Sequence, residues 1–260
     1  MRHQAVDSKL FTENRAKLTS MLPKNSLAIL NANDVLPTNA DGSLRLVPNA
    51  DLFYLSGVEQ EESILMLQPN AYEEKNRVVL FLREPTELLQ IWEGTKLTQQ
   101  RATEISGIAT VKWLKDFPLA LRDAMLSVDE VFLNSNEHRR AAVTVETRDD
   151  RFVSQCQRDY PLHTYRRLAP LLHQLRAVKS DIEVDLIKKA VEITRKGFDR
   201  VLHFLKPGVT EFEIEAELIH EYTCATAARS PTRRSWPRAR MRAACTTSTT
   251  IRSAKMVTWC

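Results

Sequence analysis

Residues 49–57 read Asn-Ala-Asp-Leu-Phe-Tyr-Leu-Ser-Gly and are followed by Glu59 and the apolar run Ile64–Leu67. Aromatic and apolar residues placed directly before a glycine are typical of core residues beside a turn. The run that follows is short and bounded by polar positions, which favours a buried strand. This stretch therefore predicts core residues beside a turn, followed by a buried strand.

Similar apolar runs lie on both sides of this stretch, and amphipathic segments separate the later ones. The predicted strands are Ser26–Leu30, Val78–Leu82, Ile108–Trp113 and Val128–Leu133, and the predicted helices are 7–22, 97–105 and 114–126. Strands that alternate with helices indicate an α/β layer domain. We expect this domain to end near 160–175, in a polar linker that contains Tyr165, Arg166, Arg167 and Pro170.

Two capped helices are predicted after this linker. Ser180 and Glu183 have the spacing of a capping box, which begins a helix over 181–205 that ends at Lys206-Pro207-Gly208. Thr210 and Glu213 repeat the spacing and begin a helix that runs to about Tyr222. The residues expected to face inward are Leu186, Ala190, Ile193, Val201, Leu205, Ile214, Leu218 and Ile219.

The net charge changes sign after Thr223. The whole chain of 260 residues carries 37 basic and 33 acidic residues, but residues 224–260 contain eight of the basic residues and none of the acidic ones. This tail also holds three of the four cysteines: Cys224, Cys245 and Cys260. Two different compositions have been joined, and we expect the basic tail to be disordered.

Several classes of protein are excluded or disfavoured by the sequence. No apolar run is long enough to span a membrane, and the first residues lack the apolar core of a secretory signal, so we expect a cytoplasmic protein. There is no nucleophile elbow, zinc-binding helix motif or phosphate-binding loop. The six histidines are scattered and are interpreted as structural, and Cys156 is expected to be a buried, reduced thiol.

Trp92-Glu93-Gly94, which follows Val78–Leu82, is the second distinctive segment. In this order, residues 49–57 and 92–94 resemble the N-terminal domain of aminopeptidase P and prolidase. Leu175–Glu183 is similar to that family's L-R-x-x-K-x-x-x-E motif, and Lys206–Glu211 is similar to its K-P-G-x-x-E motif. The resemblance covers essentially all of residues 1–223.

The resemblance implies both a fold and a domain organisation. Residues 1–172 are expected to form the aminopeptidase P N-terminal domain of the creatinase type, an α/β domain with a mixed sheet and flanking helices. Residues 173–223 are expected to form the first helices of an incomplete α+β "pita-bread" peptidase domain. Residues 224–260 would then be a tail outside both domains.

The resemblance also implies a reaction and a cofactor. The family hydrolyses proline-containing peptides ahead of a penultimate proline with two metal ions, commonly manganese, held by two aspartates, a histidine and two glutamates. All five ligands follow the K-P-G helix in the family. We therefore expect this chain to have no catalytic residue and no metal ligand, to bind no manganese, and to be inactive. Trp92 is expected to lie at an oligomer edge.

The tail fits the family pattern in a different reading frame. In the frame that starts at the third base of each codon, Lys255–Cys260 permits Asp-Gly-Asp-Met-Val-Leu, with the glycine, the valine and the last leucine fixed by the codons. The family has K-D-G-D-x-V-L-x-D there, and its last aspartate is the first metal ligand. A frameshift near codon 223 or 224 is therefore expected, whether it is a sequencing error or a real pseudogene.

Other functions stay open at this point. The chain could be a non-catalytic module that forms a homo-oligomer or pairs with an intact paralogue, or a fragment of a prolidase, which cleaves Xaa-Pro dipeptides. The basic tail could bind nucleic acid through its eight positive charges, but a frameshift explains its composition better. We therefore expect neither nucleic-acid nor membrane partners.

Overall fold

The computed structural model describes residues 6–138 and 144–227, which form two compact units. The first unit is Val6–Lys179, and the second begins at Ser180. Residues 228–260, which include most of the predicted disordered tail, lie outside the described residues. Each unit is described by itself below.

The first unit is built on a six-stranded mixed sheet. Its strands are β1 (Ser26–Asn31), β2 (Ile64–Leu67), β3 (Val78–Leu82), β4 (Thr110–Trp113), β5 (Glu130–Leu133) and β6 (Thr164–Arg167). The order across the sheet is β4-β3-β2-β1-β5-β6. Only β2 runs antiparallel to its neighbours, so the other five strands point the same way. This confirms the predicted α/β fold with a mixed sheet.

Helices cover both faces of this sheet. The helices of the first unit are α1 (Ser8–Met21), α2 (Ala50–Ser56), α3 (Glu87–Glu93), α4 (Gln99–Ser106), α5 (Phe117–Met125), α6 (Arg148–Asp159) and α7 (Ala169–Ala177). Residues of α1, α2, α4 and α7 share one hydrophobic cluster with the sheet, and residues of α5 and α6 share the other. A three-layer sandwich of this kind buries a sheet on both sides.

Strand β1 is a central strand of the sheet in the first unit. All six of its residues are buried, and it pairs with β2 on one side and with β5 on the other. A strand covered on both faces needs apolar residues at consecutive positions, which is why its sequence is a continuous run rather than an alternation. The prediction of a buried strand from Ser26–Leu30 is confirmed.

The segment 49–57 is a capped helix that the sequence analysis did not predict, with core residues beside the turn at Gly57. The Asn49 side chain accepts hydrogen bonds from the backbone N–H groups of Asp51 and Leu52, which begins α2. Gly57 ends the helix with φ of 68°, and a Cβ there would lie 2.4 Å from the Phe11 ring. A short helix with caps at both ends carries too little periodicity to be recognised as a helix.

The polar linker predicted around Tyr165–Arg167 is wrong, because these residues form β6. The strand pairs only with β5, so it is an edge strand, and three of its four residues are exposed. An edge strand carries polar and charged side chains, which conceal it from a search for apolar runs. Pro170 then lies in the first turn of α7. Backbone N–H groups in a first turn form no hydrogen bond within the helix, so a proline is tolerated there.

The second unit contains α8 (Asp181–Phe204) and α9 (Glu211–Ala227), which pack against each other. The capping box at Ser180 and Glu183 is confirmed, and Glu213 accepts hydrogen bonds from the N–H and hydroxyl of Thr210. The Gly197 backbone approaches Tyr222, and Arg200 pairs with Glu217 at 2.5 Å. In the described chain, no helix has the length and apolar composition needed to cross a bilayer.

Much of the apolar surface of α8 and α9 is exposed. Leu205, predicted to face inward, is 54% exposed, because the described residues place no sheet beneath this helix pair. Other exposed apolar residues of the pair are Val184, Ile187, Val191, Phe198, Leu202, Phe212 and Ile219. Two amphipathic helices can cover only part of each other's apolar stripes.

Candidate functional site

The parallel strands of the first unit all end at the same edge of the sheet. Residues that follow β1, β3 and β5 therefore lie at this carboxyl edge, together with the residues that precede the antiparallel β2. The chain leaves β1 for β2 on one side, whereas β5 joins β1 from the other. In open α/β sheets, such a point between oppositely directed connections is where ligands bind.

A cleft of about 730 Å³ lies at this point, between the ends of β1 and β5. The residues after β1, the first residues of α2, the residues after β5, the start of α6 and one face of α7 line it. Its lining includes Leu36, Leu44, Val47, Asp51, Asn134, Arg148, Asp149 and Arg176.

Asp51 connects two of the motifs that carry the family resemblance. Its carboxylate accepts a hydrogen bond from Arg176 Nη1 at 2.5 Å and one from Asn134 Nδ2 at 3.2 Å. The Arg176 guanidinium also lies over the Tyr54 ring, 5.4 Å from its centroid. The 49–57 segment and the Leu-Arg-x-x-Lys segment are thus joined by a charge-assisted hydrogen bond and a cation–π contact.

Asp149 is a partly buried carboxylate at the start of α6. Burial raises its pKa to about 6, although the hydrogen bond from Asn31 Nδ2, 2.9 Å long, acts in the opposite direction. Asp51 and Asp150 add to the upward shift by repulsion. A carboxyl group with this pKa can exchange a proton close to neutral pH.

Two amide oxygens at the same corner of the sheet have no hydrogen-bond partner within the described residues: Asn31 Oδ1 and Asn134 Oδ1. Both residues are buried, and Asn134 lines the cleft. Their N–H₂ groups donate to Asp149 and Asp51, respectively, which fixes the orientation of each amide. Both oxygens are buried acceptors that lie beneath the surface at this corner of the sheet.

Arg148 contributes a positive charge to the same cleft. Burial lowers the pKa of its guanidinium, and the carboxylates of Glu62, Asp34 and Asp149 oppose that shift from a distance. Its charge is therefore balanced at longer range by carboxylates of the same corner of the sheet.

Trp92 lies in α3, but its side chain lies outside the described part of the chain, so its predicted place at an oligomer edge stays a prediction. Its neighbour Glu93 accepts a hydrogen bond from Lys96, 2.9 Å away, which lowers the pKa of Glu93. Lys96 also binds Glu61 at 2.5 Å, and Arg83 lies 3.6 Å from Glu93. This charge network holds the 92–94 segment at the carboxyl edge.

The described residues do not fit a two-metal centre. Within residues 6–138 and 144–227, no three His, Cys, Asp or Glu side chains are placed so that they could hold a metal ion. Asp51 and Asp149 are engaged with Arg176, Asn134 and Asn31 instead. Cys156 is buried and free, as predicted, and burial raises the pKa of its thiol to about 12.

The sequence analysis did not identify the residues of this cleft. Asn31 and Asn134 follow directly after apolar runs, and a polar residue at the carboxyl end of a parallel strand is a recognisable signal. Arg148, Asp149 and Arg176 carried no such signal, because they reach the cleft through α6 and α7, neither of which had been predicted. Arg176 had been noted only as part of the Leu175–Glu183 motif.

Comparison with known proteins relates this fold to one family. The family model "Aminopeptidase P, N-terminal domain" matches residues 11–132. The chain is 25% identical over 218 residues to the Xaa-Pro aminopeptidase of Escherichia coli, covering 84% of this chain and 49% of that protein. It is also 25% identical over 212 residues to the mitochondrial intermediate cleaving peptidase 55 of Arabidopsis thaliana, covering 81% and 40%.

Solved structures give the same result. A Bacillus anthracis structure assigned to aminopeptidase P has a TM-score of 0.74 and 26% identity, covering 86% of this chain and 53% of that one. The chain spans about half the length of the relatives that it matches. Residues 11–132 thus match the N-terminal domain of aminopeptidase P, and the chain is similar over more than four fifths of its length to the N-terminal part of Xaa-Pro aminopeptidases.

Proposed function

We propose that this chain corresponds to the N-terminal half of an Xaa-Pro aminopeptidase and has no peptidase activity by itself. The complete family enzymes remove an N-terminal residue that precedes proline, in a metal-dependent hydrolysis. The observation that carries the proposal is the match to only 32–53% of the length of the relatives, together with the absence of a metal-ligand cluster from the described residues.

The metal chemistry explains why activity would be missing. In the family, two ions supply a hydroxide at neutral pH and polarise the scissile carbonyl when they are held by five side chains. An E. coli aminopeptidase P structure of 24% identity is described as zinc-substituted and in complex with product. Manganese is the ion that we propose for the complete enzyme of this family, and we assign no residue of this chain to it.

Peptide hydrolysis tests this proposal directly. The purified chain is incubated with manganese and an Xaa-Pro-Yaa tripeptide, and release of the first residue is measured beside the E. coli enzyme. We expect release no faster than without protein. Manganese-dependent release from the purified chain, abolished by a chelator, would show that the chain is an active peptidase and that the proposal is wrong.

The frameshift remains part of the proposal, and the encoding DNA tests it. Read past codon 223 in the alternative frame, the DNA should continue through codons for two aspartates, a histidine and two glutamates. A DNA sequence without these codons would contradict the frameshift. If they are present, expression in the restored frame and assay on an Xaa-Pro dipeptide and a tripeptide would distinguish a prolidase from an aminopeptidase.

A second candidate function is a non-catalytic module that pairs with itself or with an intact paralogue. It is supported by the network of Glu93, Lys96, Glu61 and Arg83, which fixes the segment around Trp92 at the carboxyl edge. Light scattering of the chain, alone and with the intact enzyme, tests this function. We expect Trp92→Ala to weaken association and Tyr72→Ala, at a fully exposed aromatic position elsewhere, to leave it unchanged. A monomer under all conditions would exclude the module.

A further inference from the structure

The ends of β1 and β5 each carry an asparagine that donates to an aspartate on a helix. Asn31, the last residue of β1, donates through Nδ2 to Asp149 of α6 at 2.9 Å. Asn134, directly after β5, donates through Nδ2 to Asp51 of α2 at 3.2 Å. In both asparagines the amide oxygen is buried and has no hydrogen-bond partner among the described residues. A buried acceptor without a donor is costly, so each of these oxygens requires an explanation.

The two aspartates differ in what else they bind. Asp51 also accepts a hydrogen bond from Arg176 at 2.5 Å, so an ion pair holds it as a carboxylate that has no O–H to donate. Asp149 forms no ion pair with any described residue, and Asn31 is the one described side chain that donates to it. A protonated Asp149 would therefore have a free O–H beside an asparagine that lacks a donor.

The shapes of the two groups suit a pair with two hydrogen bonds. A carboxylic acid and a carboxamide are both planar, and each presents one donor and one acceptor along the same edge. The bond from Asn31 Nδ2 already joins one half of these edges. The other half consists of the second Asp149 oxygen and Asn31 Oδ1, and only a proton between these two oxygens turns repulsion into a hydrogen bond.

The surroundings of Asp149 favour its neutral form. Burial is the largest effect, and repulsion from Asp150 on the same helix and from Asp51 on α2 adds to it. Arg148 and the N–H donated by Asn31 act in the opposite direction, and the balance raises the pKa to about 6. Because Asp149 lines the cleft, solvent can deliver and remove the proton.

We propose that Asp149 and Asn31 form a pH-operated link between α6 and β1, the acid–amide pair. When the pair is closed, the Asp149 O–H donates to Asn31 Oδ1, and the other Asp149 oxygen accepts from Asn31 Nδ2. When the proton leaves to solvent at higher pH, Asn31 Oδ1 loses its donor and the start of α6, one wall of the cleft, is held less firmly. Both residues belong to the first unit, so the inference does not rest on the proposed function.

Nuclear magnetic resonance of the full chain, with isotope-labelled asparagine, tests the pair without any substitution. Between about pH 7.5 and about pH 5, we expect the side-chain carbonyl carbon of Asn31 to move downfield, because its oxygen gains a hydrogen bond. Asn134 is the matched control, and its carbonyl carbon should not move, because Arg176 keeps Asp51 ionised. If only the N–H₂ resonances of Asn31 change, Asp149 titrates with a single hydrogen bond and the proposal is wrong.

Hydrogen exchange of α6 tests the effect on the helix, with Asp149→Asn as the variant that keeps the pair closed. An amide at residue 149 supplies both an N–H and a C=O to Asn31 at every pH. After correction for the intrinsic effect of pH, we expect the start of α6 to open at least about threefold more at pH 7.5 than at pH 5 in the unmodified chain, and equally in Asp149→Asn. Asp150→Asn, which loses the cap of α6, should exchange faster at both pH values and keep the difference.

Three results would overturn the proposal. The first is that the carbonyl carbons of Asn31 and Asn134 respond alike to pH. The second is that the start of α6 opens equally at the two pH values in the unmodified chain. The third is that the pH difference persists in Asp149→Asn, which would mean that another group causes it. Neither measurement depends on peptidase activity or on oligomeric state.

Discussion

Gly57 combines a left-handed backbone with a close contact, and both oppose any side chain there. Its φ is 68°, and a Cβ would lie 2.4 Å from Phe11 Cε2 inside the core. We expect Gly57→Ala to lower the free energy of unfolding by about 2–4 kcal/mol, of which about 1–2 kcal/mol is backbone strain and the rest is overpacking. Urea unfolding followed by circular dichroism measures the change.

Gly208→Ala is the matched control for this prediction. Gly208 also has a positive φ, of 93°, but nothing lies within 4 Å of its Cβ position. Gly208→Ala should therefore lower the free energy of unfolding by the backbone strain alone, about 1–2 kcal/mol. If both alanine variants lose the same free energy of unfolding, the Phe11 ring moves aside and its contact with the new Cβ at residue 57 contributes nothing.

Asp149 gives the chain a pH dependence whose sign is fixed by burial. Because the pKa rises from 3.8 to about 6 on folding, the folded state holds the proton more tightly, and stability falls as the pH rises through this range. We expect Asp149→Asn to stabilise the chain at pH 7.5 by about 1–3 kcal/mol and to have little effect below pH 4. Urea unfolding at the two pH values tests this.

Asp150→Asn provides the comparison, because the Thr147 hydroxyl and N–H lower the pKa of Asp150. Its carboxylate caps α6, so its removal should destabilise the chain near neutral pH instead. If Asp149→Asn destabilises the chain at pH 7.5 as Asp150→Asn does, the Asp149 carboxylate is paired and the argument from burial fails.

At the scale of elements, the start of α8 rests on one reciprocal pair. Ser180 Oγ accepts from Glu183 N–H, and the Glu183 carboxylate accepts from Ser180 N–H at 2.8 Å. We expect Ser180→Ala to destabilise α8 by about 1 kcal/mol and to speed hydrogen exchange in its first turn. Mass spectrometry of peptides from residues 180–190 measures this exchange.

Ser154→Ala is the control for the cap. Ser154 is exposed in the middle of α6, and its hydroxyl donates back to Asp150 C=O at 3.0 Å. Alanine favours a helix interior, so exchange there should stay the same or slow. Unchanged exchange in the first turn of α8 after Ser180→Ala would show that packing against α9, rather than the cap, holds this end.

The elements differ in how visible they are in the sequence, for physical reasons. Strands such as β1 and β3 are apolar because both faces are covered, and α8 carries an explicit cap, so these elements could be predicted. Strand β6 pairs on one side only and its arginines are exposed, so it has no apolar run by which it could be predicted. In α6 only Phe152 and Cys156, one turn apart, are buried, which is too few for a period to stand out.

The residues of the cleft could not be predicted from the sequence for a different reason. Asp51, Asn134, Arg148 and Arg176 belong to four separate segments of the chain. They meet because β5 pairs in parallel with β1 and because α6 and α7 follow β5 in the chain. Strand order is a property of long-range pairing, and one sequence by itself gives little indication of it.

At the scale of the whole molecule, the two units differ in how well they bury their apolar surface. Val6–Lys179 has two hydrophobic clusters, one on each face of its sheet, whereas Gly197 is the only buried residue in α8. We therefore expect limited trypsin digestion to leave a stable fragment that ends near Lys179 and to remove α8 and α9 first. Mass spectrometry of the digest identifies the end of the fragment.

Trypsin digestion in urea provides the control, because the unfolded chain should be cut along its whole length. Protection of α8 equal to that of α5 would show that the second unit is as stable as the first. Loss of Val6–Lys179 at the same rate as α8 would contradict an independently folded first unit.

The position of β1 also bears on synthesis by the ribosome. Its first neighbour, β2, follows soon after it, but its second neighbour, β5, is translated much later. At about 5–20 residues per second, the roughly 100 residues from Leu27 to Val131 take about 5–20 s to make. Throughout that time the most buried strand of the molecule has one open edge. The nascent chain is therefore most vulnerable to aggregation before β5 emerges, and slow codons between β2 and β5 would prolong that interval.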